Sequence, residues 1–328
     1  MLNPECLSSA MLAACHEARL WLGATSPNPA VGAVALDENG EILAVAAHHH
    51  AGQDHAEAAL LKICREKNLL PHLHTMCITL EPCNHFGRTP PCSEAIIAAG
   101  VRRVVVGTRD PNPRVAGGGC ERLLQAGIEV VEGVENEACR RLIHAFAHFS
   151  RTGTPFVTVK RAFDASGSMI PPVGQKTFTS RESLILAHRL RKKADAIVTG
   201  SGTILADTPL FNVRHVQDFA NKRRILAILD RRGRISRNYI EQAAERGLDV
   251  IIYQSLDSCF SDLVNHGIRD VLVESGPILS QSILDSPYWT MRVDIYSGSQ
   301  DRVEVLFNSV DETPLDTSAF NLDSILPL

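Results

Sequence analysis

The chain has 328 residues, 45% of them hydrophobic and 21% charged, with a formal net charge of -4. That length exceeds what a single core normally serves, so two domains are expected. Residues 1–150 hold 12 Lys+Arg against 16 Asp+Glu and residues 151–328 hold 21 of each. This balance leaves no basic footprint for nucleic acid, and no apolar run reaches the ~18 residues of a membrane span.

Residues 5–22 place Leu7, Met11, Ala14, Ala18 and Leu22 at helical spacing. The same stretch lacks a basic start before an apolar run, which predicts no secretory leader. Nine cysteines without a disulfide-framework spacing fit a reducing compartment, and the chain reads as cytoplasmic. In "SPNPAVGAVAL", Pro27 and Pro29 fix a turn and Gly32 permits close backbone approach. Residues 30–36 and 41–47 read as a strand pair around the turn "DENG", and His55 to Arg65 as a helix. "HTMCITL" is a strand, Ser93 to Ala99 a helix, "RRVVVGT" a strand, "GCERLLQAG" a helix ended by Gly127, and "IEVVEG" a strand. This alternation predicts an α/β layered domain over 1–150, with a linker near 150–154. The second half, 151–328, repeats it: strand "PFVTVKRAF", helix 181–193, strands 195–199, 225–229, 249–253 and 270–274, and a helix opened by "SGPIL". Beyond residue 290 few strands are expected. The basic clusters "HRLRKKAD" and "NKRR" through "DRRGR" read as solvated faces, with phosphate binding as the alternative.

The chemistry concentrates in "DHAEAALL" and "TLEPCNHFGRTPPC". A catalytic zinc takes about three protein ligands and keeps one position open. His55, Cys83 and Cys92 supply that set. Glu57, two residues after His55 at a helix start, would lie beside the metal as a proton shuttle. His-x-Glu followed by Pro-Cys-x-x-Cys is the signature of zinc base deaminases, although here eight residues separate the two cysteines. A structural zinc would need a fourth protein ligand, for which His85 is at hand.

With "PNPAVGAV", "HHHAGQDHAEAALL", "TLEPCNHFGRTPPC" and "DPNPRVAGGG" in that order, the first half resembles the bifunctional riboflavin-biosynthesis deaminase–reductases. The Cys-to-Cys loop separates it from cytidine and transfer-RNA adenosine deaminases, whose cysteines lie two apart. The resemblance implies a cytidine-deaminase-like three-layer domain followed by a dihydrofolate-reductase-like α/β domain. It implies Zn2+ on His55, Cys83 and Cys92, acid–base catalysis by Glu57, and contacts from Asn28, His48, His85 and Arg88 to a small phosphoribosylamino-pyrimidine. Asp110 and Asn112 are further candidates. His49 and His50 are expected to be exposed. A homo-oligomer, dimer or tetramer, is implied, with no nucleic-acid or membrane partner.

The second half is similar to the family's NADPH-dependent reductase in "KADAIVTGSGTILADTPLFNVR" and "VLVESGPIL". Position by position this implies cofactor or substrate roles for Lys160, Ala162, Ser180, Gly202, Thr203, Asp207, Asn212, Arg214, Glu274 and Gly276. The chain departs from the family pattern at Asp164, Ser166 and Ser168, at Thr177-Phe178, at Thr208, and in "SGSQDRVEV" where closing strands are expected. Three readings of this half stay open: a working reductase, a domain turned to another ligand, or a retained scaffold attached to a deaminase acting on another pyrimidine, pterin or purine-like base.

Overall fold

The computed structural model describes residues 2–85, 91–112, 118–171 and 177–308. The chain divides into two compact units, the first ending at Thr152 and the second beginning at Gly153.

The first unit is a five-stranded sheet in the order β2-β1-β3-β4-β5: β1 Gly32–Leu36, β2 Ile42–Ala47, β3 Thr75–Leu80, β4 Arg103–Thr108 and β5 Glu129–Glu132. Strand β1 is antiparallel to β2 and β3, whereas β3, β4 and β5 run parallel. Alternate side chains of β1 separate the two faces. Ala33 and Ala35 join one buried cluster with α2 (Ala56–Glu66), α3 (Cys92–Ala98) and α4 (Gly118–Gln125). Val34 and Leu36 join the other, with α1 (Pro4–Leu20) and α5 (Asn136–Leu142). The result is a three-layer α/β/α unit, followed by α6 (His144–Thr152). Gly32 is needed for its smallness: a Cβ there would stand 2.0 Å from the Ala14 carbonyl oxygen. Asn3 caps α1 by accepting from the Cys6 N–H, and Pro4 stands at the first helical position, where no N–H is needed.

The second unit is a seven-stranded sheet in the order β12-β11-β6-β10-β7-β8-β9. Its strands are β6 Phe156–Phe163, β7 Ala196–Gly200, β8 Arg224–Leu229, β9 Leu248–Tyr253, β10 Asp270–Glu274, β11 Met291–Tyr296 and β12 Arg302–Phe307. All pair in parallel except β12, which is antiparallel to β11. Helices α10 (Leu256–Asn265) and α11 (Pro277–Leu284) pack on one face, through Phe260, Leu263 and Ile283. Helices α8 (Ser201–Asp207) and α9 (Arg237–Glu245) pack on the other, through Ile204, Tyr239 and Ala243. Helix α7 (Arg181–Lys193) starts on Ser180, whose hydroxyl accepts from the Ser183 N–H.

Two expectations are corrected here. The stretch after 290 does form strands: β11 joins the parallel sheet beside β6 and β12 closes a hairpin on it. The hairpin turn also supplies Asp301, whose Oδ2 accepts from the Ser180 N–H at 2.7 Å and the Ser183 hydroxyl at 2.6 Å. The signal was missed because β11 mixes charged with apolar residues, its Asp294 being buried against Arg161 at 2.7 Å. The basic runs are solvated faces only in part: Arg223, Arg231, Arg232 and Arg234 are exposed, but others are not. Lys193 is buried on Asp270 at 2.8 Å, and Lys222 donates to the Lys192 and Lys193 carbonyls that end α7.

Candidate functional site

In the first unit the sheet ends converge on three soft donors. His55 is the N-cap residue of α2, Cys83 lies on the loop after β3, and Cys92 is the first residue of α3. His55 Nδ1 stands 3.7 Å from Cys83 Sγ and 3.4 Å from Cys92 Sγ, and the three ligand atoms lie within 4.8 Å of one another. Two tetrahedral ligands of one zinc, at ordinary Zn–N and Zn–S bond lengths, are about 3.5 Å apart, so the spacing fits that ion. Cys83 Sγ accepts from the Cys92 N–H at 3.3 Å. The Cys92 side chain, together with His55, holds the Cys83 thiol low, at about 4, while the same closeness pushes the Cys92 thiol up. His85, the fourth donor considered for a structural zinc, is exposed and outside the cluster of potential ligands found among the described residues. Arg88 lies outside the described residues.

Glu57 is in the first turn of α2 and only 4% exposed. Burial pushes its carboxyl up to about 7, although its own backbone N–H and His55 pull the other way. A buried carboxyl beside three soft donors is the arrangement a proton shuttle needs.

Asn28 and His48 form a fixed pair. The Asp54 carbonyl lies 2.9 Å from His48 Nδ1, so Nδ1 carries the proton and Nε2 the lone pair. Nε2 then accepts from Asn28 Nδ2 at 3.2 Å, which leaves Asn28 Oδ1 as an acceptor with no partner among the described residues. Burial lowers the His48 pKa and keeps the ring neutral. His49 and His50, expected to be exposed, are half-buried against Trp21: His49 stacks on the indole at 3.8 Å and His50 meets it edge-on at 5.6 Å. An aromatic partner on α1's C-cap, distant in sequence, supplies that burial.

Sequence reading passed over Glu81. Its buried carboxylate accepts from the Gly119 N–H at 3.1 Å and the Cys120 N–H at 3.3 Å through Oε1, and from the Asp110 N–H at 3.2 Å through Oε2. It thereby ties the residues flanking 113–117 to the segment that carries Cys83. The approach is so close that a Cβ on Gly119 would stand 1.9 Å from the Pro82 oxygen. Glu81→Ala strands three N–H donors, and the expected cost is ~3 kcal/mol of stability together with weaker metal retention. Thermal melts and bound-zinc analysis of the variant check this.

In the second unit Glu274 ends β10 with its carboxylate buried, 3.2 Å from Lys160 Nζ and 2.5 Å from Arg191 Nε. Thr203 Oγ1 accepts from the Gly276 N–H at 2.9 Å, and Asn212 Oδ1 accepts from Arg214 at 2.9 Å. Ser180 is the α7 cap, Ala162 sits in β6 opposite Ile295, and Gly202 and Asp207 are exposed on α8. Arg191 and His188 were missed because they fall within a basic run. Asp164 closes its own turn, accepting from the Ser166 and Ser168 N–H groups at 2.8 and 2.9 Å, with Gly167 at φ +84°. The departures at 164–168 therefore make a self-contained turn at the end of β6. Burial opposes ionisation of Glu274, but Arg191 and Lys160 outweigh it and hold the carboxyl at about 2. A carboxyl depressed from 4.5 to about 2 stabilises the folded unit above pH 4.5 and loses that contribution as pH falls toward 2. The second unit should therefore shed on the order of 3 kcal/mol across that window. Trp289 fluorescence in a Trp21→Phe background follows it.

Two family models match: the cytidine and deoxycytidylate deaminase zinc-binding region over residues 4–108, and the RibD C-terminal domain over residues 155–287. The chain is 36% identical over 290 residues to the riboflavin biosynthesis protein RibD of Aquifex aeolicus, an alignment covering 81% of this chain and 80% of that protein. The chain belongs to the RibD family of riboflavin biosynthesis. Alignments with three other RibD proteins, from Actinobacillus pleuropneumoniae, Synechocystis and Bacillus amyloliquefaciens, span 52%, 52% and 54% of those relatives, about half their length. Acinetobacter baumannii RibD superposes with a TM-score of 0.76 at 30% identity, covering 95% of this chain and 93% of that one. A Thermotoga maritima structure described as a diaminohydroxyphosphoribosylaminopyrimidine deaminase/5-amino-6-(5-phosphoribosylamino)uracil reductase superposes at 0.78 with 31% identity, covering 89% and 87%. The expected fold, a cytidine-deaminase-like domain followed by a reductase domain, is thereby borne out. The RibD family pairs a zinc-binding deaminase domain with an NADPH-using reductase domain, and this chain has both. It is an enzyme of small-molecule chemistry, and among its described residues no helix is long and apolar enough to cross a membrane.

Proposed function

We propose that the first unit hydrolyses the 2-amino group from 2,5-diamino-6-(5-phosphoribosylamino)pyrimidin-4-one, releasing ammonia, and that the second unit reduces the ribosyl side chain of the product. The observation that carries the first step is the His55–Cys83–Cys92 donor set at tetrahedral spacing, with Glu57 buried beside it. Zinc held there would activate water at neutral pH. Glu57 takes the proton that water gives up and delivers it to the leaving amine, so one water is consumed and one ammonia released. Asn28 Oδ1, oriented by His48 and Asp54, accepts from an N–H on the pyrimidine edge. Asn28→Ala should raise KM about tenfold to a hundredfold with zinc content unchanged, as expected for one lost polar contact in a desolvated site. His85 and Arg88 complete the substrate side of this reading.

For the second unit, bound NADPH would supply the hydride, and solvent the accompanying proton, for conversion of the ribosyl to a ribityl group. Lys160, Glu274, Arg191, Asn212 and Arg214 lie together and would receive the phosphorylated sugar. Thr203 and Gly276 meet where the cofactor phosphates could approach backbone N–H groups, and Ser180, Ala162, Gly202 and Asp207 border these elements. The intact Lys160–Glu274–Arg191 network and the closing hairpin favour a working reductase over a retained scaffold. The test is NADPH oxidation by the full-length zinc-loaded protein given 5-amino-6-(5-phosphoribosylamino)uracil. Turnover supports the reading, and no oxidation overturns it for the second unit. A homo-oligomer, dimer or tetramer, in the cytoplasm completes the proposal; the location is in line with nine cysteines outside any disulfide.

A further inference from the structure

The loop from Thr208 to Arg214 leaves α8 with two non-glycine residues in the left-handed region, Thr208 at φ 44° and Phe211 at φ 50°. Such backbone persists only where the surroundings over-determine it. Here they do. Tyr239 Oη donates to the Pro209 carbonyl at 2.8 Å, Arg246 Nε to the Leu210 carbonyl at 3.2 Å, and Arg191 Nη1 to the Asn212 carbonyl at 3.3 Å. Phe211 is 3% exposed.

The remaining anchor is His188, one helical turn before Arg191 on α7 and 1% exposed. Its Nδ1 lies 3.0 Å from the Arg214 backbone nitrogen. That N–H is an obligate donor, so Nδ1 carries the lone pair and the imidazole proton is on Nε2. Arg191 Nη1 then faces Nε2 at 3.3 Å as donor against donor, with no hydrogen bond between them, and the His215 ring closes the other side at 4.6 Å. Burial, reinforced by Arg191, Arg214 and His215, keeps the ring neutral.

We infer that His188 is a positioning residue of the second site. Its Nδ1 fixes the backbone of Arg214, so that the Arg214 guanidinium is preset, beside the Glu274-paired Arg191, for a phosphorylated substrate. The inference deepens the reductase reading and rests on it. A neutral ring suits the task, because a protonated one would lose the acceptor and add a third positive charge beside the two arginines.

The test uses steady-state NADPH oxidation with 5-amino-6-(5-phosphoribosylamino)uracil and the full-length zinc-loaded protein, comparing wild type with His188→Leu, His188→Asn and His188→Gln. An Asn side chain can place an acceptor near the Nδ1 position, whereas Gln reaches toward Nε2. The expected result is a KM for the uracil substrate raised at least tenfold in His188→Leu and His188→Gln, with KM for NADPH and deaminase turnover unchanged, and recovery to within about threefold of wild type in His188→Asn. If His188→Leu fails to fold, the contrast between Asn and Gln decides. Equal behaviour of Asn and Gln, an unchanged substrate KM in Leu, or a parallel rise in KM for NADPH overturns the inference. Absence of turnover in wild type instead overturns the reductase reading on which the inference stands.

Discussion

Glu57→Gln should lower ammonia release by about 10⁴-fold, the upper range for loss of a positioned general acid–base group, while leaving one zinc per chain. Gln is nearly isosteric with Glu and keeps an acceptor, but it cannot take up a proton and return it. Its site is prepared for such a role: the carboxyl is buried in the first turn of α2 and burial pushes it up to about 7. Because His55 Nδ1, Cys83 Sγ and Cys92 Sγ hold their positions through different elements, removing the Glu57 charge leaves the donor set in place. Quantifying ammonia under single-turnover conditions, alongside metal analysis, separates lost chemistry from lost metal. Wild-type turnover in the variant would remove Glu57 from the mechanism.

The second large effect is expected on Cys92→Ala. It removes one of three donors, and two remaining ligands retain zinc poorly. The substitution also empties a buried position: Cys92 opens α3 and is 5% exposed, with its N–H on Cys83 Sγ. Deamination should fall to background and the first unit should melt at lower temperature, because binding to the folded state alone adds stability. Chelation of the wild-type protein should produce the same loss, reversed by added zinc, whereas Cys92→Ala should stay inactive at any zinc concentration that wild type tolerates. The second unit, with its own sheet and cores, should keep its unfolding transition in both cases.

The clustering of His55, Cys83 and Cys92 as candidate metal donors was legible in the sequence because such chemistry is carried by residue type and short spacing. His55 and Glu57 are two apart, and Pro82 precedes Cys83. The regular elements were also legible: helix 181–193 and strand 270–274 occur with those bounds, since their apolar periodicity and flanking caps agree. Contacts between residues distant in sequence were not. Glu81 serves N–H groups 29, 38 and 39 residues away, and nothing local distinguishes it from another charged residue beside a strand. Arg191 looks like one of several solvated bases until Glu274, 83 residues on, is brought against it. Strand β11 was obscured for a related reason. Its Asp294 is wholly buried, which a hydrophobic pattern does not anticipate; the Arg161 fork on the neighbouring strand, with Arg292 at 2.9 Å, makes that burial possible. The His49–Trp21 stack is likewise a packing event between a helix end and a loop.

The central claim concerns the identity of the base deaminated at the His55–Cys83–Cys92 site, and phosphate dependence tests it most directly. The measurement is kcat/KM for ammonia release by zinc-loaded full-length protein, with 2,5-diamino-6-(5-phosphoribosylamino)pyrimidin-4-one and with its phosphate-free counterpart. The predicted result is efficient release from the phosphorylated compound and a loss of roughly a hundredfold or more without the phosphate, in line with a lost charged contact. Equal release from both compounds, or release only from free bases, would contradict the account.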